Sequence, residues 1–331
     1  MSYKVCSFLI TGGSGSFGHA CTRYLLENTE ARRIIIYSRD EYKQFLMQQE
    51  FAEHIDRLRF FIGDVRDEKR LSKALNGVDY VIHAAAMKQV PACEYNPIEA
   101  VNTNIVGAMN VINASLENES VKRVIALSTD KAVSPINLYG GTKLVSDKLF
   151  TAANSYAGRR HVRFSVVRYG NVAGSRGSVI PFFKQKLDAG IDKLPLTDEN
   201  MTRFWMTLDK SVSLVMKALE LSKGGETFVY KNPSFYVTDL IEAMLKKGAY
   251  DVTGIREGEK VHECMITSSD SLRTYEYDDH YVIYPNYDWW TVETGIIPGG
   301  KKVEAGWEYT SDKNTWWLSV DDLKELLPEY Y

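Results

Sequence analysis

At 331 residues the chain has room for one large α/β domain with a smaller appendage. Its net charge of −3, with 25% charged and 44% hydrophobic residues, lacks the basic excess of a nucleic-acid binder. Cys6, Cys21, Cys93 and Cys264 form no CxxC pair and no Cys/His cluster, which speaks against a zinc site or a disulfide framework. Residues 1–5 are too short and polar for a signal peptide, and no stretch nears the ~20 apolar residues of a membrane span, so a cytoplasmic chain without a transmembrane segment is expected.

In chain order, short β-branched runs at Ser7–Thr11, Arg33–Tyr37, Leu58–Ile62, Val78–Ala84, Val121–Leu127 and Arg163–Arg168 predict strands, with amphipathic segments between them. This rhythm predicts an α/β fold, a Rossmann-type doubly wound parallel sheet covered on both faces. Beyond Arg168 it gives way to a Gly-rich loop, a helix near Val179–Ala189, a polar stretch to Arg203 and then mixed elements. The expected organisation is a dinucleotide-binding domain over 1–170. A smaller, discontinuous substrate-binding part over 171–331 would end in an aromatic tail.

Directly after the first strand, Gly12, Gly15 and Gly18 recur at every third position in Thr11-Gly12-Gly13-Ser14-Gly15-Ser16-Phe17-Gly18. Glycine there permits a tight turn and a close backbone approach to a pyrophosphate at the following helix N-terminus. The placement favours a dinucleotide turn, formed with Ser14, Ser16 and Phe17, over a plain loop. The second strand ends in Tyr37-Ser38-Arg39-Asp40; Ser38 and Arg39, with Lys43 one turn on, can meet a 2′-phosphate, which favours NADP. The alternative is a solvated Arg39 with Asp40 serving NAD. Asp64 and Val65 suit an adenine contact, and helix capping is a competing use of the aspartate. Ala84, opening a run of three alanines, leaves room for a cofactor, and Lys88 beyond it can reach a phosphate or sugar or remain a solvated loop lysine.

The run Ser128-Thr129-Asp130-Lys131 lies ahead of Tyr139 and Lys143. A tyrosine one helical turn before a lysine lets the ammonium lower the phenol pKa, and the nearby acid and amine supply two further proton-transfer groups. That inventory suits oxidation followed by elimination; a surface ion pair and chance spacing are the plainer readings. His83, in an apolar strand end, reads as a packed core histidine, and no metal is expected.

The Thr11–Gly18 fingerprint, the Tyr139/Lys143 pair and the strand rhythm resemble the extended short-chain dehydrogenase/reductase superfamily. More narrowly, Met87-Lys88-Gln89-Val90-Pro91, Ser128-Thr129-Asp130-Lys131-Ala132, Arg168-Tyr169-Gly170-Asn171-Val172, Gly174-Ser175-Arg176-Gly177-Ser178-Val179, Met201-Thr202-Arg203-Phe204-Trp205 and Gly254-Ile255-Arg256-Glu257-Gly258-Glu259-Lys260 resemble the C5-inverting UDP-N-acetylglucosamine 4,6-dehydratases of pseudaminic acid biosynthesis. The resemblance runs to about Glu263. In that family Asp-Lys separates inverting members from retaining ones, which carry Asp-Glu, and Tyr139 favours the pseudaminic branch over relatives with Met there. Glu257 departs from the usual proline, and the tail after Cys264 is not clearly matched.

The resemblance implies UDP-N-acetylglucosamine as substrate and a tightly bound NADP recycled within each turnover. Tyr139 takes the C4 hydroxyl proton as hydride leaves, and the 4-ketone acidifies C5. Lys131, as a neutral amine, removes the C5 proton while a protonated Asp130 helps expel the C6 hydroxyl; hydride then returns to C6 and a proton to the opposite face of C5. Thr129 completes the catalytic set with Lys143. Lys88, Thr129, Asn171, Ser178, Val179, Arg203, Arg256 and Glu259 fall to the diphosphate and hexose, where an arginine fork can grip phosphate. A UDP-sugar 4-epimerase, a C5-retaining dehydratase and a nucleotide-sensing scaffold are the alternatives. The tail tryptophans Trp289, Trp290, Trp307, Trp316 and Trp317 read as a core-covering flap, a carbohydrate platform or, preferred, a contact of a homo-oligomer.

Overall fold

The computed structural model describes all residues except 1, 2, 4, 159, 176, 288, 289, 291–294 and 331, so Arg176 and Trp289 lie outside the described residues. Strands β1 (Ser7–Thr11), β2 (Arg33–Ser38), β3 (Leu58–Ile62), β4 (Tyr80–His83), β5 (Arg123–Thr129) and β6 (Arg163–Tyr169) form where the apolar runs predict them. β7 (Leu194–Leu196) and β8 (Thr202–Phe204) stand apart, and β9 (Thr227–Tyr230) returns to the sheet. The seven parallel strands run in the order β3-β2-β1-β4-β5-β6-β9. The chain reverses its direction of winding between β1 and β4, where an open parallel sheet leaves a crevice at the carboxyl ends of its strands.

Side chains alternate across each strand, so the two faces carry separate apolar layers. Phe8, Ile10, Ile34, Ile36, Ile82 and Phe228 pack on one face with Leu25 and Val215 from the helices Ser16–Asn28 and Leu208–Leu221. Leu9, Ile35, Val81, Val124 and Phe164 pack on the other with Val111 and Phe150 from the helices Gly107–Glu117 and Leu138–Tyr156.

The part beyond residue 170 is woven into the same sheet. After β10 (Ser234–Tyr236), β11 (Tyr250–Val252) and β12 (Cys264–Ile266), the strands β13 (Thr274–Glu276), β14 (His280–Ile283) and β15 (Lys301–Lys302) extend it antiparallel from β9. β8 pairs with β10, β7 with β11, and β12 with β16 (Tyr309–Thr310). A third apolar cluster, with Ile180, Phe183, Trp205, Phe235 and Leu240, knits these short pairs to the helices Val179–Asp188 and Val237–Met244. The described tail aromatics pack largely within the chain: Trp307 lies 5.0 Å from Tyr281, Trp290 5.2 Å from Tyr284 and Trp317 4.9 Å from Tyr236, between ring centroids. Trp316 remains exposed beneath Lys210. Among the described residues, no helix is long and apolar enough to cross a membrane.

Candidate active site

A cleft of about 1180 Å³ opens at the carboxyl ends of the parallel strands. Every residue singled out above for cofactor, substrate or catalysis lines it, apart from Asp130, which is 1% exposed. Gly12 sits at φ +65°, and a Cβ there would meet the Ala85 backbone at 2.9 Å. Only glycine lets this turn nest against Ala84 and Ala85. The helix Ser16–Asn28 follows with Gly15 at its cap and no side-chain capping bond. Its leading N–H groups therefore have no side-chain acceptor, which suits an anion.

At the end of β2, Ser38 is fixed by hydrogen bonds from Ser14 and from Gln44, both 2.9 Å to its Oγ. Arg39 is largely exposed, 3.8 Å from Asp64. Lys43 lies 2.5 Å from Asp40, which caps the helix Glu41–Glu50 by accepting from the Lys43 N–H. The helix cap weighed for Asp64 falls to Asp67, which accepts from the Arg70 N–H. Burial opposes ionisation of Asp64, but the Arg66 guanidinium at 2.8 and 3.0 Å outweighs it and lowers its pKa. Next to Lys88, Met87 is clipped by Asn104, which accepts from its N–H (2.8 Å) and donates to its carbonyl (3.0 Å).

β5 delivers Thr129 to the cleft, and a tight helical turn, Asp130–Ala132, follows. Asn137 then starts the helix Leu138–Tyr156 by accepting from the Gly140 N–H, setting Tyr139 and Lys143 on its buried side. Thr129 Oγ1 donates to Asp130 Oδ1 at 2.8 Å. The Lys131 ammonium donates to Asp130 Oδ1 (3.2 Å), Asn171 Oδ1 (3.1 Å) and Glu263 Oε1 (3.4 Å).

Two electrostatic expectations need correction. Lys131 is not a neutral amine here: burial disfavours its charge, but Asp130 and Glu263 outweigh burial and raise its pKa above the ordinary lysine value. Tyr139 is not lowered by Lys143; burial pushes its phenol up to about 12, with Lys131 and a Thr129 hydrogen bond opposing. Lys143 instead donates to the Leu127 carbonyl at 2.6 Å, and burial lowers its pKa. Burial and the Glu263 charge raise the Asp130 carboxyl, against Lys131. His83 sits 2.8 Å from Thr11 Oγ1, its pKa driven down to about 3 by burial, as befits a core residue.

On the substrate side, Asn171 touches Lys131 directly. Ser178 precedes the helix Val179–Asp188 with its Oγ buried and without a hydrogen-bond partner. Glu259 accepts from Thr197 at 3.1 Å, and Arg256 is exposed at the rim. Arg203 differs from the expectation of a phosphate fork. It is buried, and its terminal nitrogens donate to the carbonyls of Thr202 (2.7 Å), Val261 (2.9 Å) and Lys260 (3.0 Å), bracing the segment that carries Glu263. Glu263 itself was not anticipated: it belongs to no motif and lies 132 residues from Lys131 in sequence.

Residues 8–285 match the polysaccharide biosynthesis protein family. The chain is 52% identical over 326 residues to a UDP-N-acetylglucosamine 4,6-dehydratase (inverting) of Campylobacter jejuni, covering 97% of each. It is 41% identical over 328 residues to a UDP-glucose 4-epimerase of Rickettsia canadensis, covering 97% of this chain and 95% of that one. The crystal structure of Pen from Bacillus thuringiensis aligns with a TM-score of 0.90 at 38% identity, covering 99% of both chains.

Proposed function

We propose that this chain, which belongs to the polysaccharide biosynthesis protein family, dehydrates UDP-N-acetylglucosamine with inversion at C5. The product is UDP-2-acetamido-2,6-dideoxy-β-L-arabino-hexos-4-ulose, a precursor for pseudaminic acid. The observation that carries this reading is the Asp130–Lys131 ion pair, its carboxylate buried and its ammonium in the cleft with Tyr139, in a chain half identical to a protein of that name. A 4-epimerase returns hydride to C4 and has no water to expel, so it has no use for such an acid–amine pair.

The residues fit NADP: Gly12, Ser14, Gly15, Ser16, Phe17 and Gly18 would hold the pyrophosphate against the uncapped helix. Ser38, Arg39 and Lys43 would hold the 2′-phosphate, Asp64 and Val65 the adenine, and Ala84, Lys88, Tyr139 and Lys143 the nicotinamide riboside. Bound there, NADP would supply the hydride acceptor and donor that oxidation at C4 and reduction at C6 require. Tyr139 accepts the C4 hydroxyl proton. Passing one proton across the 3.2 Å from Lys131 to Asp130 turns the resting ion pair into a neutral amine and a carboxylic acid. The amine then removes the C5 proton, and the acid protonates the departing C6 oxygen, so charge balances within the pair. Thr129 orients Asp130 by its hydrogen bond. Lys88, Asn171, Ser178, Val179, Arg256 and Glu259 line the remaining cleft and hold the sugar nucleotide, while Arg203 keeps their wall in place.

On this reading residues 1–170 bind mainly NADP and 171–331 mainly the sugar nucleotide. The four cysteines are free, as suits the cytoplasm. A homo-oligomer is supported by the exposed apolar side chains Tyr95, Ile98, Met109 and Val145, more than by the tail. Proton NMR of the protein with UDP-N-acetylglucosamine and NADP+ tests the assignment. A new C6 methyl signal on an L-configured 4-keto sugar is expected; unchanged substrate or its C4 epimer would refute it.

A further inference from the structure

The Asp130–Lys131 pair does not stand alone. Glu263 reaches the same ammonium from the segment preceding β12, and it is 2% exposed while lining the cleft. One of its oxygens, Oε1, meets Lys131 at 3.4 Å and Arg203 Nε at 3.6 Å; the other, Oε2, has no hydrogen-bond partner. A buried carboxylate is costly unless it is matched and held. Its backbone is tied down: the Glu263 N–H donates to Ser311 Oγ at 2.9 Å, the Ser311 N–H donates to the Glu263 carbonyl at 2.8 Å, and Ser311 Oγ lies 2.7 Å from Thr202 Oγ1. A side chain so fixed defines where the Lys131 ammonium rests.

We infer that Glu263 is a positioning residue for the elimination, holding the Lys131 amine at the cleft and matching Arg203 so that Asp130 is free to carry a proton. The inference rests on the dehydratase reading above. The quartet contains two buried carboxylates, Asp130 and Glu263, and two cations, the buried Arg203 and the partly exposed Lys131. Once Lys131 hands its proton to Asp130, the remaining ions are Glu263 and Arg203, which face each other, and no buried charge is left unmatched. Without the Glu263 charge, Asp130 is left as the one carboxylate bonded to the Lys131 ammonium, and the repulsion that raises its pKa is gone. Asp130 is then held ionised and cannot serve as the acid. Tyr139 behind the pair and Lys260, whose ammonium is bonded to the Val133 carbonyl, are the other titratable groups acting on this cluster.

The test compares Glu263→Gln, which keeps the shape and removes the charge, with Glu263→Asp, which keeps the charge one methylene back. Both are measured beside a wild type that forms the dehydrated product; a wild type that forms none refutes the proposed function itself. Glu263→Gln is expected to lower kcat for dehydration by roughly 10²-fold with KM within about threefold, the size of an impaired proton transfer. C4 oxidation should persist, so reduced nicotinamide accumulates in a single turnover with enzyme in excess. Glu263→Asp should recover at least about tenfold of the lost rate. A kcat for Glu263→Gln within about twofold of wild type overturns the inference. So does an equal loss of C4 oxidation and elimination, a rise in KM alone, or a Glu263→Asp no better than Glu263→Gln, which would mark a packing role.

Discussion

Gly140, between Tyr139 and Lys143, offers a mechanical test of the catalytic turn. A Cβ placed on it would run into the Lys131 carbonyl oxygen and lie 3.0 Å from Pro135 Cβ. The obstacle is largely backbone, so a rotamer change cannot relieve it. The helix Leu138–Tyr156 and the turn Asp130–Ala132 must part by about 1 Å before ordinary van der Waals contact is restored. Overpacking of this kind costs about 1–3 kcal/mol, offset by the roughly 0.5–1 kcal/mol that alanine gains over glycine inside a helix. Gly140→Ala should therefore lose about 1–2 kcal/mol of stability, and a shift of that size between Lys131 and Tyr139 should slow dehydration on the order of 10²-fold. Gly141 is the internal control, because nothing lies within 4 Å of a Cβ built there. Gly141→Ala should gain about 0.5–1 kcal/mol and keep its rate. Urea unfolding midpoints and single-turnover product formation measure both. A Gly140→Ala protein as stable and as fast as Gly141→Ala would refute the claim that the two catalytic segments are held in register by this contact.

Arg39→Ala should weaken NADP+ binding by roughly tenfold while leaving NAD+ unchanged, since a 2′-phosphate gives the guanidinium its partner; calorimetric titration giving equal losses for both would refute the phosphate role. Tyr139→Phe should bind both ligands yet produce no reduced nicotinamide signal, because the C4 proton has no acceptor; normal turnover would remove Tyr139 from the mechanism. His83, held neutral with a pKa of about 3 against an ordinary 6.5, makes stability pH-dependent. Above pH 6.5 neither state binds the proton. Between 6.5 and 3 only the unfolded imidazole does, so stability should fall by up to about 1.4 kcal/mol per pH unit, levelling off below 3. His83→Gln should flatten that slope in acid unfolding curves, and an unchanged slope would show that other groups set it.

The strands β1 to β6 were legible to within two residues at each end: all but the half-exposed edge strand β3 are almost wholly buried, and a parallel strand covered on both faces must be a continuous apolar run. The turn at Gly12 was legible for a similar reason, since its backbone tolerates no other residue. The later strands were not: β13 and β15 are two or three residues long and contain Tyr, Glu and Lys, and their place is fixed by pairing rather than by local pattern. Arg203 lines the cleft as its motif led one to expect, but the direction of its fork depends on the carbonyls of Val261 and Lys260, which no spacing announces. The charge on Lys131 lay further out of reach. It is the outcome of burial set against two carboxylates, one adjacent and one arriving from residue 263.

Ser311, which anchors Glu263, lies far along the chain from the turn it serves, and Ser234 beside β8 is bridged by Trp316 and Leu318 through backbone bonds of 2.8 Å each. The order of synthesis therefore differs for the two halves of the cleft. The glycine turn and the first six parallel strands have all been synthesised by residue 170, well ahead of the segment that ends at Ser311. The hydrogen bonds that fix Glu263 and the β8 strand form only when the last stretch of chain folds back. A nascent or proteolytically shortened chain ending ahead of Ser311 would lack the bonds that fix the Glu263 backbone, leaving one of the three acceptors of the Lys131 ammonium unsecured.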